Sequence, residues 1–293
     1  MDNYVYATQL IKKKRGMTQS VLAKCSDGSF YVVKFKNNPQ GLNALVSEVV
    51  TARLGRFLGL PVPEYAFVDV SESLIKQSPA IGIELGSTRC SYQGGLQFGS
   101  KTAIDSAGTT QVVDYMPKSL VCWVDDLPTF AGAMVLDAWT GNTDFRQVVF
   151  VKSRHSMVFK PFFIDHDRSL APFFDPQSER SLPAAHFPEF YDFVRGWGSF
   201  EPWLTLAENA DCDELKRTVT NFPTEWGVSD QLSGPLLEYL LKRRSEIRPR
   251  IEPLCHGQIL RFRNWGKPWP ALWTRAMRME AQLGGQGNAI SNF

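Results

Sequence analysis

The feature that most constrains the fold lies near the N-terminus, where SVLAKCSDGSFYVVKFK places two apolar runs on either side of the dipeptide Asp27-Gly28. Both runs are rich in β-branched and aromatic residues, which favour strands. An Asp-Gly pair readily adopts the positive φ angles that a tight hairpin turn requires. The sequence therefore predicts a β-hairpin over residues 20–36.

The hydrophobic period changes directly after this hairpin. In LNALVSEVVTARLGRFLG the apolar residues recur at helical spacing, and Gly59 is placed to end the helix. PVPEYAFVDV then returns to an extended pattern, and TTQVVDYMPKS predicts one more short strand. The segment between them, residues 71–108, is rich in Gly and Ser and is assigned only to strands and loops. The N-terminal part is thus expected to be an antiparallel sheet with one helix.

The second half of the chain is predicted to be mainly helical. LPTFAGAMVLDAWTGN and SGPLLEYLLKRRSEIRPRI have helical spacing, while VVFV and MVFKPFFIDHD predict two short strands. The tail from Ile259 interleaves tryptophans with basic residues, so we expect it to pack on this half, with nucleic-acid contact as the alternative. The last ten residues are predicted to be disordered.

Composition narrows the class of protein. The 43% hydrophobic and 21% charged content is that of an ordinary globular protein, and 32 Lys and Arg against 30 Asp and Glu make no global basic field of the kind that nucleic-acid binding favours. The five cysteines are scattered without a C-x-x-C pair, which indicates reduced thiols. No stretch reaches the roughly 18 apolar residues that a membrane span requires, and the N-terminus has no leader pattern. These features predict a cytoplasmic protein without a membrane span.

Two charged residues interrupt apolar runs in the N-terminal part of the chain. Lys34 lies inside YVVKF, where a lysine must either reach solvent or meet a buried anion. Glu48 interrupts LVSEVV on the predicted helix and would lie near a buried face unless paired. A Lys34–Glu48 ion pair accounts for both residues together.

Two aspartates mark a second cluster, in DAWTGNTDFRQVVFV and FFIDHDRSL. Asp144 lies in a polar turn between helix and strand, which suits a catalytic base; the alternative is an ordinary Asx-turn. Asp165 ends a hydrophobic strand, where it can ligate Mg²⁺ or cap the next turn. A hairpin lysine, a helix glutamate, a short strand leading into a connection, a loop aspartate and a strand-end aspartate recur in this order in kinase-like folds.

With these motifs, the chain resembles the HipA-like kinases of the short form that lacks the extra N-terminal subdomain, from about Val5 to Ile251. RGMTQSVLAK with YVVKFK is similar to that family's phosphate loop and lysine strand, SEVVTARLGRFLGLPVPEYAFVDV to its helix region, and WTGNTDFRQVVFV with FFIDHDRSL to its catalytic and metal-binding segments. The resemblance implies a two-lobed α+β protein-kinase-like fold, with an antiparallel N-lobe sheet and a mainly helical C-lobe. The expected bounds are 1–116 for the N-lobe, 117–258 for the C-lobe and 259–293 for a C-terminal extension.

The resemblance also implies roles for individual residues. Lys34 would bind the phosphates of ATP with Glu48 as its partner, Asp144 would be the catalytic aspartate, and Asp165 would ligate Mg²⁺. The phosphate loop would use Gly16, Thr18 and Ser20, with Ser20 a candidate for self-phosphorylation. QVVDYM would be the hinge that meets adenine, through the backbone of Val113, Asp114, Tyr115 and Met116.

The chain departs from the family pattern beside the catalytic aspartate. Many HipA-like proteins have His and then a metal-binding Asn there, whereas this chain has Arg146 and Gln147. Gln147 offers a carbonyl oxygen on a longer side chain and is the candidate replacement ligand. The substitution leaves the number of metal ions open.

Three functions remain open at this point. The leading one is a Ser/Thr protein kinase of HipA type that transfers the γ-phosphoryl group of ATP to a hydroxyl. The second is a kinase for a small molecule or lipid headgroup, because fold does not choose the acceptor. The third is a pseudokinase or nucleotide-binding interaction module in which Gln147 has weakened metal binding. HipA-type toxins act with an antitoxin, so an antitoxin-like partner is a further possibility.

Overall fold

A computed structural model of the chain describes residues 3–103, 109–142, 144–145, 147–180, 182–183, 185–228, 230–256 and 262–268. The strands are β1 Asn3–Lys13, β2 Val21–Cys25, β3 Phe30–Lys34, β4 Tyr65–Val70, β5 Ile83–Leu85, β6 Thr88–Cys90, β7 Gly95–Lys101, β8 Thr110–Val113, β9 Gln147–Ser153 and β10 Lys160–Ile164. The helices are α1 Leu42–Phe57, α2 Glu72–Lys76, α3 Thr129–Thr140, α4 Ala171–Phe174, α5 Trp203–Glu208, α6 Cys212–Thr218, α7 Asp230–Arg243 and α8 Ile247–Ile251. Short 3₁₀ turns lie at Lys118–Trp123, Pro176–Ser178, Pro188–Tyr191, Trp197–Phe200, Thr224–Trp226, Arg244–Glu246 and Glu252–Leu254. The chain has an α+β fold, as predicted.

Five strands close into a barrel in the order β1-β2-β3-β7-β4. The predicted hairpin is present as β2 and β3, and Gly28 in its turn has φ of 79°. The prediction of an antiparallel sheet is wrong for one pair of strands. β1 pairs with β4 in parallel, and this pairing closes the barrel. β1 was missed because polar residues interrupt its alternation, and two register shifts against β2 break it further.

Helix α1 lies between the barrel and the C-terminal helices. Val46, Val50 and Leu54 pack into the C-terminal core, whereas Leu45 and Val49 pack with residues of β4 and β7. The helix ends at Phe57, and Gly59 follows with φ of 68°. Because apolar neighbours cover both sides of this helix, a charged residue on it is buried and requires a partner.

The C-terminal half combines helices with a three-stranded sheet of order β10-β9-β8. Helix α3 is buried along its whole length at the centre of the largest apolar cluster. β8 pairs with β9, so residues 110–113 belong to this sheet and not to the barrel that precedes them. The late helix is divided into α7 and α8 by the turn Arg244–Glu246. Among the described residues, no helix has both the length and the apolar character to cross a membrane.

A loop after α6 brings the C-terminal half into contact with α1 and with the barrel. The Arg53 guanidinium on α1 donates hydrogen bonds to the carbonyl oxygens of Thr218 at 3.0 Å and Thr220 at 2.6 Å. The Trp226 indole N–H donates to the carbonyl oxygen of Leu96 on β7 at 2.8 Å. These contacts hold α1 against both halves of the protein.

The start of the predicted C-terminal extension packs on the C-terminal half. Phe262 is buried in the C-terminal core, and the ring of Trp265 lies edge-on to that of Trp197 at a centroid distance of 5.5 Å. The segment for which disorder was predicted, the last ten residues, lies outside the described residues.

Candidate active site

A cleft of about 710 Å³ lies between the barrel and the C-terminal sheet. Apolar side chains of both sheets line it, including Val32 from β3, Val149 from β9 and Phe162 from β10. The cleft brings together most of the residues singled out from the sequence: Gly16, Thr18, Ser20, Lys34, Glu48, Asp144, Gln147 and Asp165. Residues from five separate parts of the chain therefore meet at one concave surface.

Lys34 lies at the end of β3 with only 6% of its surface exposed. Its ammonium group donates hydrogen bonds to Glu48 Oε1 at 2.5 Å, Asp165 Oδ1 at 2.5 Å and Asp167 Oδ2 at 3.0 Å. The ion pair with Glu48 that the two interrupted apolar runs suggested is present. It is part of a larger cluster of one cation and three carboxylates.

Asp167 was not singled out from the sequence. It follows the end of β10 at a spacing of two residues from Asp165 in the segment IDHD. Asp165 itself has φ of 59°, an uncommon backbone conformation for a residue other than glycine that Asp tolerates better than most. The chain therefore turns sharply at the end of the strand, and both aspartates reach Lys34.

The electrostatics of the cluster follow from burial and from the excess of negative charge. Burial and the neighbouring Asp165 and Glu48 raise the pKa of Asp167 to about 7, despite the opposing effect of Lys34. Burial disfavours the Lys34 ammonium, but Glu48, Asp165 and Asp167 outweigh that effect and hold the pKa of Lys34 above its usual range. For Asp165, burial is outweighed by Lys34, which holds the pKa of that carboxyl below its usual value.

This cluster has the donor set for a divalent cation. Carboxylate oxygens of Glu48, Asp165 and Asp167 all lie within 4.8 Å of one another. Mg²⁺ and Mn²⁺ prefer such oxygen ligands, and a single ammonium does not neutralise three carboxylates. Gln147 is opposite Ile164, the residue before Asp165, in the β9–β10 register and lines the same cleft. The residues present fit a bound divalent ion.

Asp144 lies on the loop that follows α3, and it is exposed. Its carboxylate accepts a hydrogen bond from the Phe145 N–H at 2.7 Å, and its own N–H donates to Asn142 Oδ1 at 3.0 Å. Asn142 is buried and its amide donates to Asp137 Oδ1 at 3.0 Å. Asp137 and Asn142, which the sequence interpretation missed, therefore tie this loop to α3. Arg146, the other departure from the family pattern, lies outside the described residues.

The proposed phosphate loop connects β1 to β2. The Lys14 N–H donates to the Ser20 carbonyl at 2.7 Å, which closes the loop at its base. Thr18 and Ser20 are buried, whereas Met17 at the tip is exposed. Lys14, Arg15 and Gly16 also line the cleft, so this loop forms one of its walls.

The expected hinge is the exception among the site residues. Val113, Asp114, Tyr115 and Met116 are absent from the residues that line the cleft, although Val112 lines it. Met116 is buried in the C-terminal core and Tyr115 is mostly exposed. Lys101 at the end of β7 and the next two residues, Thr102 and Ala103, also line the cleft. The first residues of QVVDYM lie in β8, which pairs with β9 of the C-terminal sheet.

Comparison with known proteins agrees with these sequence motifs. The sequence model of a family described as HipA-like kinase matches residues 8–242. The chain belongs to the HipA-like kinase family. The resemblance drawn from the motifs is thereby confirmed, and this HipA-like protein is a kinase, that is, a phosphotransferase. The match includes Lys34, Glu48, Asp144, Gln147 and Asp165.

No curated protein matches the sequence of this HipA-like kinase. Among solved structures it is similar to a Golgi casein kinase, with a TM-score of 0.49 and 11% identity over 92% of this chain and 76% of that chain. A structure of the Golgi casein kinase with Mn/ADP bound has a TM-score of 0.46 and 10% identity over 85% of this chain and 72% of that chain. The Helicobacter pylori proinflammatory kinase CtkA has a TM-score of 0.49 and 12% identity over 89% of this chain and 98% of that chain.

Proposed function

We propose that this HipA-like kinase uses Mg²⁺ and ATP to phosphorylate serine or threonine hydroxyls of a protein. The observation that carries the proposal is the cluster of Lys34 with Glu48, Asp165 and Asp167 in a cleft that Asp144 also lines. Phosphoryl transfer requires a cation at the phosphates, carboxylates for metal and a carboxylate near the acceptor hydroxyl. In this proposal Lys34 is the cation, the carboxylates of the cluster bind the metal, and Asp144 is the carboxylate near the acceptor.

The apolar wall of the cleft suits the adenine ring. Val32, Val149 and Phe162 present apolar surface from two sheets, and the backbone at Ala103 is the candidate for hydrogen bonds to the adenine edge. The phosphates would then extend toward Lys34 and the loop that contains Gly16. Lys34 can keep its bond to Glu48 while its other N–H groups turn from the two aspartates to phosphate oxygens.

Asp165 and Asp167 would hold the metal, with Gln147 as a further candidate ligand. Bound Mg²⁺ would neutralise negative charge on the phosphates and orient them for transfer. Glu48 keeps Lys34 in place, because a buried ammonium without an anion is costly. In this proposal Lys34 and Glu48 serve phosphate binding, and Asp165 and Asp167 serve metal binding.

Asp144 would accept the proton of the acceptor hydroxyl. It is exposed at the rim of the cleft, next to the half-exposed Phe145, so a large acceptor can reach it. An exposed position for the base favours a protein acceptor over a small molecule enclosed in the cleft. The hydrogen bond from the Phe145 N–H fixes the direction of the carboxylate.

Labelled ATP with Mg²⁺ and a cell lysate as the source of acceptors tests the proposal. The wild-type protein should add label to serine or threonine residues, located by mass spectrometry. Asp144→Asn should lower the rate by about 10²–10⁴-fold, the range for loss of a general base, with ATP affinity retained. Asp165→Ala should remove both transfer and metal-dependent ATP binding.

Asp69→Ala is the matched control, because Asp69 is exposed on β4 and does not line the cleft. Label on a small molecule without any phosphopeptide would replace the protein acceptor by a small-molecule one. ATP binding without transfer to any acceptor would identify a nucleotide-binding module and refute the catalytic proposal.

A further inference from the structure

Hydrogen bonds of Gln19 connect the proposed phosphate loop to a hairpin outside the cleft. Its side-chain amide donates to the carbonyl oxygen of Glu84 at 2.7 Å and accepts from the Glu84 N–H at 2.7 Å. Its own carbonyl oxygen accepts a hydrogen bond from the Tyr92 hydroxyl at 2.5 Å. One glutamine thus pairs with strand β5 as a neighbouring strand would, at a position 65 residues away in sequence.

Tyr92, which donates one of these hydrogen bonds, is firmly packed. Tyr92 is 2% exposed and stacks on Phe35, with ring centroids 4.1 Å apart. Phe35 directly follows Lys34 in the chain, and Ile83 of β5 is buried in the same apolar cluster. The phosphate loop and the Lys34 strand are therefore held by the same group of buried side chains.

Gln19 itself is not among the residues that line the cleft, whereas Gly16, Met17, Thr18 and Ser20 are. It has φ of 47°, and its N–H donates to the Gly16 carbonyl at 3.2 Å, so it also closes the turn of the loop. A positive φ at a residue other than glycine persists where surrounding contacts determine it. Here those contacts are the three hydrogen bonds to Glu84 and Tyr92.

We propose that Gln19 is a positioning residue that presets the loop for nucleotide phosphates, through its hydrogen bonds to Glu84 and Tyr92. This inference rests on the proposed function, because it assigns the loop to ATP. A loop that is already ordered binds its ligand without a further loss of conformational entropy. Loss of the anchor should therefore weaken ATP binding and leave the chemical step unchanged once ATP is bound.

The test compares Gln19→Ala, Tyr92→Phe and the control Gln9→Ala in the full chain. Gln9 is exposed on β1, and Tyr92→Phe removes one hydroxyl while the ring can still stack on Phe35. With a non-hydrolysable ATP analogue and Mg²⁺, Gln19→Ala should raise the dissociation constant about 10-fold, equivalent to about 1.4 kcal/mol. Tyr92→Phe should raise it about 3-fold, Gln9→Ala should not change it, and kcat at saturating ATP should stay within about 2-fold for all three.

Hydrogen exchange without nucleotide supplies an independent measurement. Peptides that cover residues 14–20 should exchange faster in Gln19→Ala than in the wild type, while the melting temperature of Tyr92→Phe stays near that of the wild type. Unchanged analogue affinity in both Gln19→Ala and Tyr92→Phe would overturn the inference, as would a fall in kcat equal to the loss of affinity. If the wild-type protein bound no ATP analogue at all, the proposed function itself would fail, so the two failures are distinguishable.

Discussion

Replacement of Lys34 by methionine tests whether the charge cluster is organised as described. The substitution keeps the length of the side chain and removes the ammonium group that contacts Glu48, Asp165 and Asp167. Removal of one partner from a buried ion pair typically costs about 3–5 kcal/mol, because the remaining charge is left without compensation. For a chain of this size that corresponds to a fall in melting temperature of about 6–10 °C at roughly 2 °C per kcal/mol.

Lys36→Met is the matched control. Lys36 lies two residues further along the chain and makes a partly exposed ion pair with Glu225 at 3.0 Å. Such pairs contribute about 0–1 kcal/mol, so this variant should melt within about 2 °C of the wild type. The comparison separates the effect of the buried cluster from that of a lost lysine charge.

Divalent cations give the second readout of the same variant. In Lys34→Met the three carboxylates lose the ammonium group that they share, so Mg²⁺ should raise its melting temperature more than that of the wild type. Thermal unfolding followed by circular dichroism, with EDTA and then with Mg²⁺, measures both effects. Equal melting temperatures for the Lys34 and Lys36 variants, or an identical Mg²⁺ response in Lys34→Met and wild type, would refute the description of the cluster.

Two further predictions concern the rest of the molecule. Arg53→Ala should lower the free energy of unfolding in urea by about 1.5–3 kcal/mol, because it removes charged hydrogen bonds to the Thr218 and Thr220 carbonyl oxygens. Arg53→Lys should restore only part of this lost free energy. A loss of less than about 0.5 kcal/mol in Arg53→Ala would contradict the contact. Burial raises the pKa of Cys25 and of Cys255 to about 12, from about 9, so iodoacetamide at pH 8 should label the three exposed cysteines of the native protein and all five after denaturation. Since both folded-state pKa values are raised, these thiols favour the folded state below about pH 9 and lose that contribution as the pH rises toward 12, which alkaline unfolding curves would show.

The part of the site that could be predicted is the part with a local signal. Lys34 and Glu48 each interrupt an apolar run, and two charges in apolar surroundings favour a mutual contact whatever the fold. Asp144 and Asp165 stand at element boundaries that hydrophobic periodicity marks, so their positions in a turn and at a strand end were also readable. The hairpin and α1 were predicted for the same reason, because their patterns are short-range.

Non-local pairing accounts for what the sequence did not reveal. The parallel contact of β1 with β4 joins segments about 60 residues apart, and no property of either segment specifies it. β8 reads as a strand from its composition, but only its pairing with β9 shows that it belongs to the C-terminal sheet. Gln19 carries no sequence signal at all, since its partner is the backbone of a residue in the Gly- and Ser-rich segment.

Asp165 has a left-handed backbone conformation at the point where β10 ends and the charge cluster lies. In a continued strand, residues 165 and 167 would share one face and lie about 6–7 Å apart along the chain. A positive φ at Asp165 ends the strand abruptly, and the Lys34 ammonium then reaches both at 2.5 and 3.0 Å. The left-handed conformation costs about 1–2 kcal/mol at a residue other than glycine. The bonds to Lys34 can offset that cost, so the backbone turn and the charge cluster depend on each other, and Asp165→Gly would relax the turn but lose a carboxylate that the cluster requires.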